Sequence, residues 1–223
     1  MRALEYFGKG NIRFTNHLKE PRIVAPDELV IDIAWCGICG TDLHEYTDGP
    51  IFFPEDGHTH EISHNPLPQA MGHEMAGTVL EVGPGVKNLK VGDKVVVEPT
   101  RTCRDRYRWP LSPNVDKEWC AACKKGYYNI CSYLGLCGAG VQNGGFAERV
   151  VMNESHCYKV PDFVPLDVAA LIQPLAVCWH AIRVCEFKAG STASIIGAGP
   201  IGLGTILALN AAGCKDIAVS EPA

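Results

Sequence analysis

Three stretches of this 223-residue chain carry side chains whose types and spacing can do chemistry. In WCGICGTDLH (Trp35 to His44) and AMGHEMAG (Ala70 to Gly77), Cys39, His73 and Glu74 offer sulfur, nitrogen and oxygen. Such a mixed set is expected where one coordination position stays open for water or substrate, as in a catalytic zinc site. Cys36 and Cys39 also have the C-x-x-C spacing of a redox dithiol, but they end a β-rich run with no βαβ pattern around them. In the second stretch, Cys120-x2-Cys123-x7-Cys131 follows Cys103 upstream. Four thiolates close a structural zinc tetrahedron, and DKEWCAACKKGYYNIC has too few apolar residues to build a core without one. The third is Gly197-x-Gly199-x-x-Gly202, placed after the apolar run Ala193 to Ile196 and opening a helical stretch. There the first glycine permits a tight turn, the second admits a pyrophosphate and the third lets helix pack on strand. Glu221, nineteen residues past Gly202, is in place to accept from adenosine ribose hydroxyls and to repel the extra phosphate of NADP, which favours NAD.

The elements that must position these groups fall into two sections, expected at 1–160 and 161–223. Short β-rich runs such as Leu29 to Ala34, Gly77 to Val82 and Lys94 to Val97, separated by turns such as VGPGVKNLKVGD, predict a barrel-like β unit. After Pro165 the pattern turns to long apolar helix, with Pro174 kinking it or starting a new one, and then alternates α and β. The segment Thr100 to Glu118 holds four arginines and reads as a solvated loop.

Bulk composition narrows the partners. With 25 acidic against 20 basic residues the net charge is −5, which gives no reason to expect nucleic acid or a membrane surface and favours a small-molecule substrate. No signal-peptide core opens the chain, and eleven cysteines, an odd number, suit a reducing compartment better than a disulfide framework. A cytoplasmic location is the expectation.

The motifs GICGTDLH, GHEMAG, VGDKV (Val91 to Val95), the cysteine lobe, GGFAE (Gly144 to Glu148) and GAGPIG stand in the order found in medium-chain zinc-dependent alcohol dehydrogenases, which the whole chain resembles. HEYTDGPIFFPEDG, the long insertion between the first two lobe cysteines and the ending VSEPA are most similar to the 2,3-butanediol dehydrogenases, near the sorbitol dehydrogenases. The resemblance implies a mixed α and β protein: a GroES-like β-barrel catalytic domain followed by the start of an incomplete Rossmann domain. It implies a catalytic zinc on Cys39, His73 and Glu74, and a structural zinc on Cys103, Cys120, Cys123 and Cys131. Thr41 would bond the substrate hydroxyl and His44 would continue the proton relay, with hydride passing between a secondary alcohol or vicinal diol and NAD. Sorbitol is the alternative substrate, although Phe52 and Phe53 suggest an apolar patch suited to methyl-bearing diols.

Gln173 stands where the family usually has a glutamate at or near the zinc. The family commonly forms homo-oligomers through the Rossmann sheet edge, and only two strands of that sheet are expected here. That leaves apolar faces uncovered and predicts poor solubility or disorder after about residue 185, as in a truncated form. A different reading makes the chain a catalytically inactive, zinc-stabilised docking module.

Overall fold

The computed structural model describes residues 1–222 and divides into two compact units, Met1–Ala170 and a second beginning at Leu171. In chain order the strands of the first unit are β1 (Ala3–Tyr6), β2 (Ile12–Thr15), β3 (Glu28–Gly37), β4 (Gln69–Ala70), β5 (Glu74–Val82), β6 (Lys94–Val97), β7 (Thr100–Arg101), β8 (Gly135–Cys137), β9 (Gly140–Gln142), β10 (Arg149–Asn153) and β11 (Cys157–Lys159). Helices α1 (Gly40–Thr47), α2 (Ala121–Lys124) and α3 (Leu166–Ala170) complete it.

The main sheet has the order β10-β3-β5-β6-β11, antiparallel throughout, and the β3–β5 pairing shifts register twice. Such bulges bend a strand and raise its twist, which curls the sheet into part of a barrel. Sheets β2-β1-β4 and β7-β8-β9 complete the β unit, the former joined at the bridge Ala3–Ala147. Alternation along the strands fixes the core: Leu29, Ile31, Met75, Val79, Val95, Val97, Val150 and Met152 bury one face. Ala76 and Val96 bury the other beneath Ala169 and Ala170 of α3.

The expectation of a solvated loop over Thr100–Glu118 is overturned. Arg101, Arg106 and Arg108 are buried, and only Arg104 of the four arginines is exposed. Their charges have partners distant in sequence. Arg108 pairs with fully buried Glu28 and donates to Gln142 Oε1 (3.0 Å). Arg101 donates to Asn153 Oδ1 (2.6 Å), and Arg106 donates to the Lys117 and Glu118 carbonyls. A buried arginine without such partners would cost several kcal/mol, so Arg101 and Arg108 pack inward only because the strands supply acceptors, while Arg106 is met by carbonyls of its own segment. Phe52 and Phe53 are also placed differently from the expected pocket patch. Both join Tyr6 and Met71 in a core cluster, with Phe53 only 4 % exposed.

The second unit comprises α4 (Ile172–Val184), β12 (Thr192–Ile196), α5 (Pro200–Ala211) and β13 (Asp216–Ser220). Pro174 lies in the first turn of α4, where a missing N–H costs nothing, so it belongs to a new helix rather than a kink. Strands β12 and β13 pair in parallel across α5. Regular structure continues through Ser220 instead of fraying after residue 185, because Cys178, Ile182, Ile195, Ala208 and Leu209 form a local core. The uncovered apolar surface is nonetheless present: Ile196 is 89 % and Leu207 61 % exposed.

Candidate metal centres and dinucleotide turn

Cys39 is the N-cap of α1, in extended backbone, so its side chain projects from a fixed helix start. Its N–H donates to Asp42 Oδ2 (2.9 Å), three residues on, as a capping-box acid does. His73 lies just before β5 and Glu74 opens it, pairing across the ladder with Gly37 at the end of β3. A Cβ at Gly37 would stand 2.3 Å from Glu74 Oε2, so glycine there creates the room the carboxylate occupies. One ligand atom each from Cys39, His73 and Glu74 lies within 4.8 Å of the others.

Asp42 belongs to this group, although motif spacing alone did not single it out. Its Oδ1 lies 3.6 Å from His73 Nδ1, both side chains are buried, and neither atom has another partner. Burial alone would push His73 down, but Asp42 and the Cys39 sulfur outweigh it and raise the imidazole to about 10. The Cys39 thiol is lowered, first by His73 and then by the Thr41 backbone and hydroxyl, against the effect of burial. An acidified thiol, an imidazole held by a carboxylate and a carboxylate in one half-dry pocket are the donors zinc selects, so the residues fit the ion. The signal for Asp42 is its position at N3 behind a capping cysteine.

Thr41 Oγ1 is 3.7 Å from Cys39 Sγ, beside the cluster. His44 lies one turn further along α1 with its ring exposed, and it makes no side-chain hydrogen bond among the described residues. Cys36 and Cys39 are both free thiols, and burial pushes Cys36 far up, opposite to Cys39.

The four lobe cysteines also converge, their sulfurs all within 4.8 Å. Cys120 Sγ and Cys131 Sγ are 3.8 Å apart. Tetrahedral sulfurs on zinc at about 2.3 Å would be separated by about 3.8 Å, so the spacing suits the ion. Backbone N–H groups are aimed at the sulfurs: Cys120 donates to Cys103, Cys123 to Cys120, and Cys103 and Tyr133 to Cys131. The Cys123 and Ser132 N–H groups lower the Cys120 thiol to about 6. Donors directed at sulfur favour thiolate, the form that binds metal.

In the second unit Gly197 has φ +96°, a conformation glycine adopts freely, and Gly199 caps α5. A Cβ on Gly202 would meet the Gly197 carbonyl at 2.0 Å, so the third glycine is needed for helix to approach turn. Glu221 lies at the end of β13 as expected from its spacing, and its carboxylate accepts the Ala198 N–H of the same turn. Gln173 sits half-buried in the first turn of α4.

Residues 25–162 match the family described as the alcohol dehydrogenase GroES-like domain. Over its whole length the chain is 97 % identical to 54 % of a Saccharomyces cerevisiae protein described as "Probable diacetyl reductase (R)-acetoin forming 2". It is 54 % identical to an (R,R)-butanediol dehydrogenase of the same species, covering 99 % of this chain and 58 % of that one. The crystal structure of 2R,3R-butanediol dehydrogenase from Bacillus subtilis superposes with a TM-score of 0.84 at 39 % identity, over 100 % of this chain and 58 % of the other. A short chain alcohol dehydrogenase from Escherichia coli CFT073, complexed with NADH, gives a TM-score of 0.77 at 25 % identity over 100 % of this chain and 57 % of its own. The chain thus spans about half the length of the relatives it matches.

Proposed function

Because the chain belongs to the alcohol dehydrogenase family with a GroES-like domain, we propose that it carries the catalytic half of a zinc- and NAD-dependent oxidoreductase. The substrate class is a vicinal diol or its ketone, of the 2,3-butanediol, acetoin and diacetyl type. The carrying observation is the convergence of Cys39, His73 and Glu74 within 4.8 Å, with Asp42 against the imidazole. Bound zinc would supply Lewis acidity toward the alcohol oxygen, and NAD the hydride acceptor.

The protein's own groups do the rest. Asp42 faces Nδ1 of His73 at 3.6 Å, where its charge would favour a proton on that nitrogen and leave the other to be offered as donor. Thr41, beside Cys39, is placed to take the substrate hydroxyl proton, and exposed His44 on the same face of α1 leads it to water. Cys103, Cys120, Cys123 and Cys131 hold a second, structural zinc. Gly197, Gly199 and Gly202 form the pyrophosphate turn, where Glu221 exchanges its Ala198 N–H for ribose hydroxyls and disfavours a 2′-phosphate. The names of the relatives favour the four-carbon substrates over sorbitol.

The test is NADH formation from (R,R)-2,3-butanediol and NADH consumption with diacetyl, by the zinc-loaded protein and its Thr41→Ala variant. Turnover in the parent, cut by two or more orders of magnitude in the variant, is expected of a proton-relay group. Equal rates in both remove Thr41 from the reaction. If zinc and NAD bind without turnover, the activity belongs to a longer chain of which this one is the catalytic half; zinc binding without NAD binding favours the inactive, zinc-stabilised module instead.

A further inference from the structure

A cavity of about 400 Å³ opens on the first unit, away from the Cys39 cluster and beside the cysteine lobe. Four aromatic residues line it: Tyr107, Trp119, Tyr128 and Tyr158, drawn from four separate segments of the chain. Each is more than a third exposed, so their rings are open to a ligand.

Two of the phenols have their hydroxyls committed to carboxylates. Tyr107 donates to Asp27 (3.0 Å) and Tyr158 to Glu98 (3.2 Å). A phenol that donates to a carboxylate is electron-rich and has no donor left for an anion, so its ring is what it offers a ligand. Glu98 also lies close enough to Tyr128 for its charge to raise that phenol. The other acid in the cavity, Asp105, is already opposed by Arg101 (3.9 Å), so among the described residues Glu98 is the cavity's acid without an ion-pair partner. Electron-rich rings around a carboxylate that has no ion-pair partner select a cation.

The cavity already shows this preference. The guanidinium of exposed Arg104 lies 5.1 Å from the Trp119 ring centroid and forms no ion pair among the described residues. It takes the position on the indole that a ligand cation would occupy.

We propose that this cavity binds a small organic cation of the alkylammonium class, seated on Trp119 near Glu98 in competition with Arg104. The proposal is independent of the oxidoreductase reading, because none of its residues belongs to that site.

The experiment titrates the zinc-loaded protein with choline chloride and, separately, with its neutral isostere 3,3-dimethyl-1-butanol, following tryptophan fluorescence with sodium chloride as the ionic-strength control. Saturable binding of choline, at least about fivefold tighter than the neutral alcohol, is expected of a cation–π site. Arg104→Ala should tighten choline binding severalfold, since the resident cation is gone. Glu98→Gln should weaken it about fivefold or more at unchanged zinc content. Glu98→Gln stands in for a Trp119 variant, because Trp119 adjoins Cys120 and its loss could disturb the lobe. Equal binding of the neutral isostere, weaker choline binding by Arg104→Ala, or no saturable response up to tens of millimolar would each overturn the proposal.

Discussion

Asp42 gives the sharpest test of how this fold prepares a metal site. It has two jobs: it accepts the Cys39 N–H at 2.9 Å, and it faces His73 Nδ1 at 3.6 Å. Two substitutions separate them. Asp42→Asn keeps an oxygen for the Cys39 N–H but removes the charge from His73, whereas Asp42→Ala removes both. Loss of a carboxylate that orients a ligating imidazole costs about 10- to 100-fold in metal affinity, or roughly 1.4–2.7 kcal/mol. Losing the acceptor of the Cys39 N–H also loosens the helix start that carries Cys39. Zinc affinity at the Cys39 cluster should therefore fall about tenfold in Asp42→Asn and toward 100-fold in Asp42→Ala.

Competition with a chromophoric chelator reads this directly, and the four-cysteine site serves as an internal control that should not change. The pH dependence adds a second readout. With His73 raised to about 10, metal entering at neutral pH must displace its proton, so affinity should rise with pH. In Asp42→Asn that slope should flatten, because the carboxylate that holds the proton is gone. Parent-like affinity in both variants would refute the reasoning, as would equal losses at the two sites, which would mean a general loss of folding.

Three further outcomes follow from the packing. Arg108→Leu strands the fully buried Glu28 carboxylate and should destabilise by about 3–5 kcal/mol in urea unfolding. Adding Glu28→Leu should recover only part of this, since the Val24 and Ala25 N–H groups then lose their acceptor. Stripping metal with a chelator should expose the now-buried Arg106 and Arg108 to trypsin, and an unchanged peptide map would show that the lobe holds without its ion. His60 is held neutral, its pKa pushed down to about 4 by burial, with Nδ1 accepting the Ile62 N–H. A depressed histidine leaves stability intact above its unfolded value of about 6.5 and loses it as pH falls toward 4, by about 2–4 kcal/mol. His60→Gln should shrink the acid-dependent loss by that amount in melts compared at neutral and acidic pH.

What could be read from the sequence was what is local or chemically scarce. Cys120 and Cys123 announce themselves by their spacing, and Gly197, Gly199 and Gly202 by their place between an apolar run and a helix. Leu29 to Ala34 and Lys94 to Val97 reveal their strands as short β-rich runs between turns. Asp42 was missed because an acid at N3 looks like an ordinary helix cap, and only the fold brings His73 against it. The burial of the arginines at 101 and 108 is hidden for a similar reason. Composition assigns them to solvent, while Glu28, Gln142 and Asn153, which make burial tolerable, lie dozens of residues away. Phe52 and Phe53 could not be oriented from sequence because a turn sets which way neighbouring side chains face, and here Tyr6 and Met71 draw both inward.

Gly37 has a bearing on how such a donor set can change over generations. It binds nothing, yet any side chain there would collide with the Glu74 carboxylate. The Glu74 carboxylate thus occupies an empty place on the neighbouring strand, and a single codon change at 37 would force it to shift while leaving Cys39, His73 and Glu74 unaltered in sequence. A mutational library restricted to the ligands would never sample that route. One that includes position 37 would read how far the proposed donor set tolerates a displaced Glu74 carboxylate.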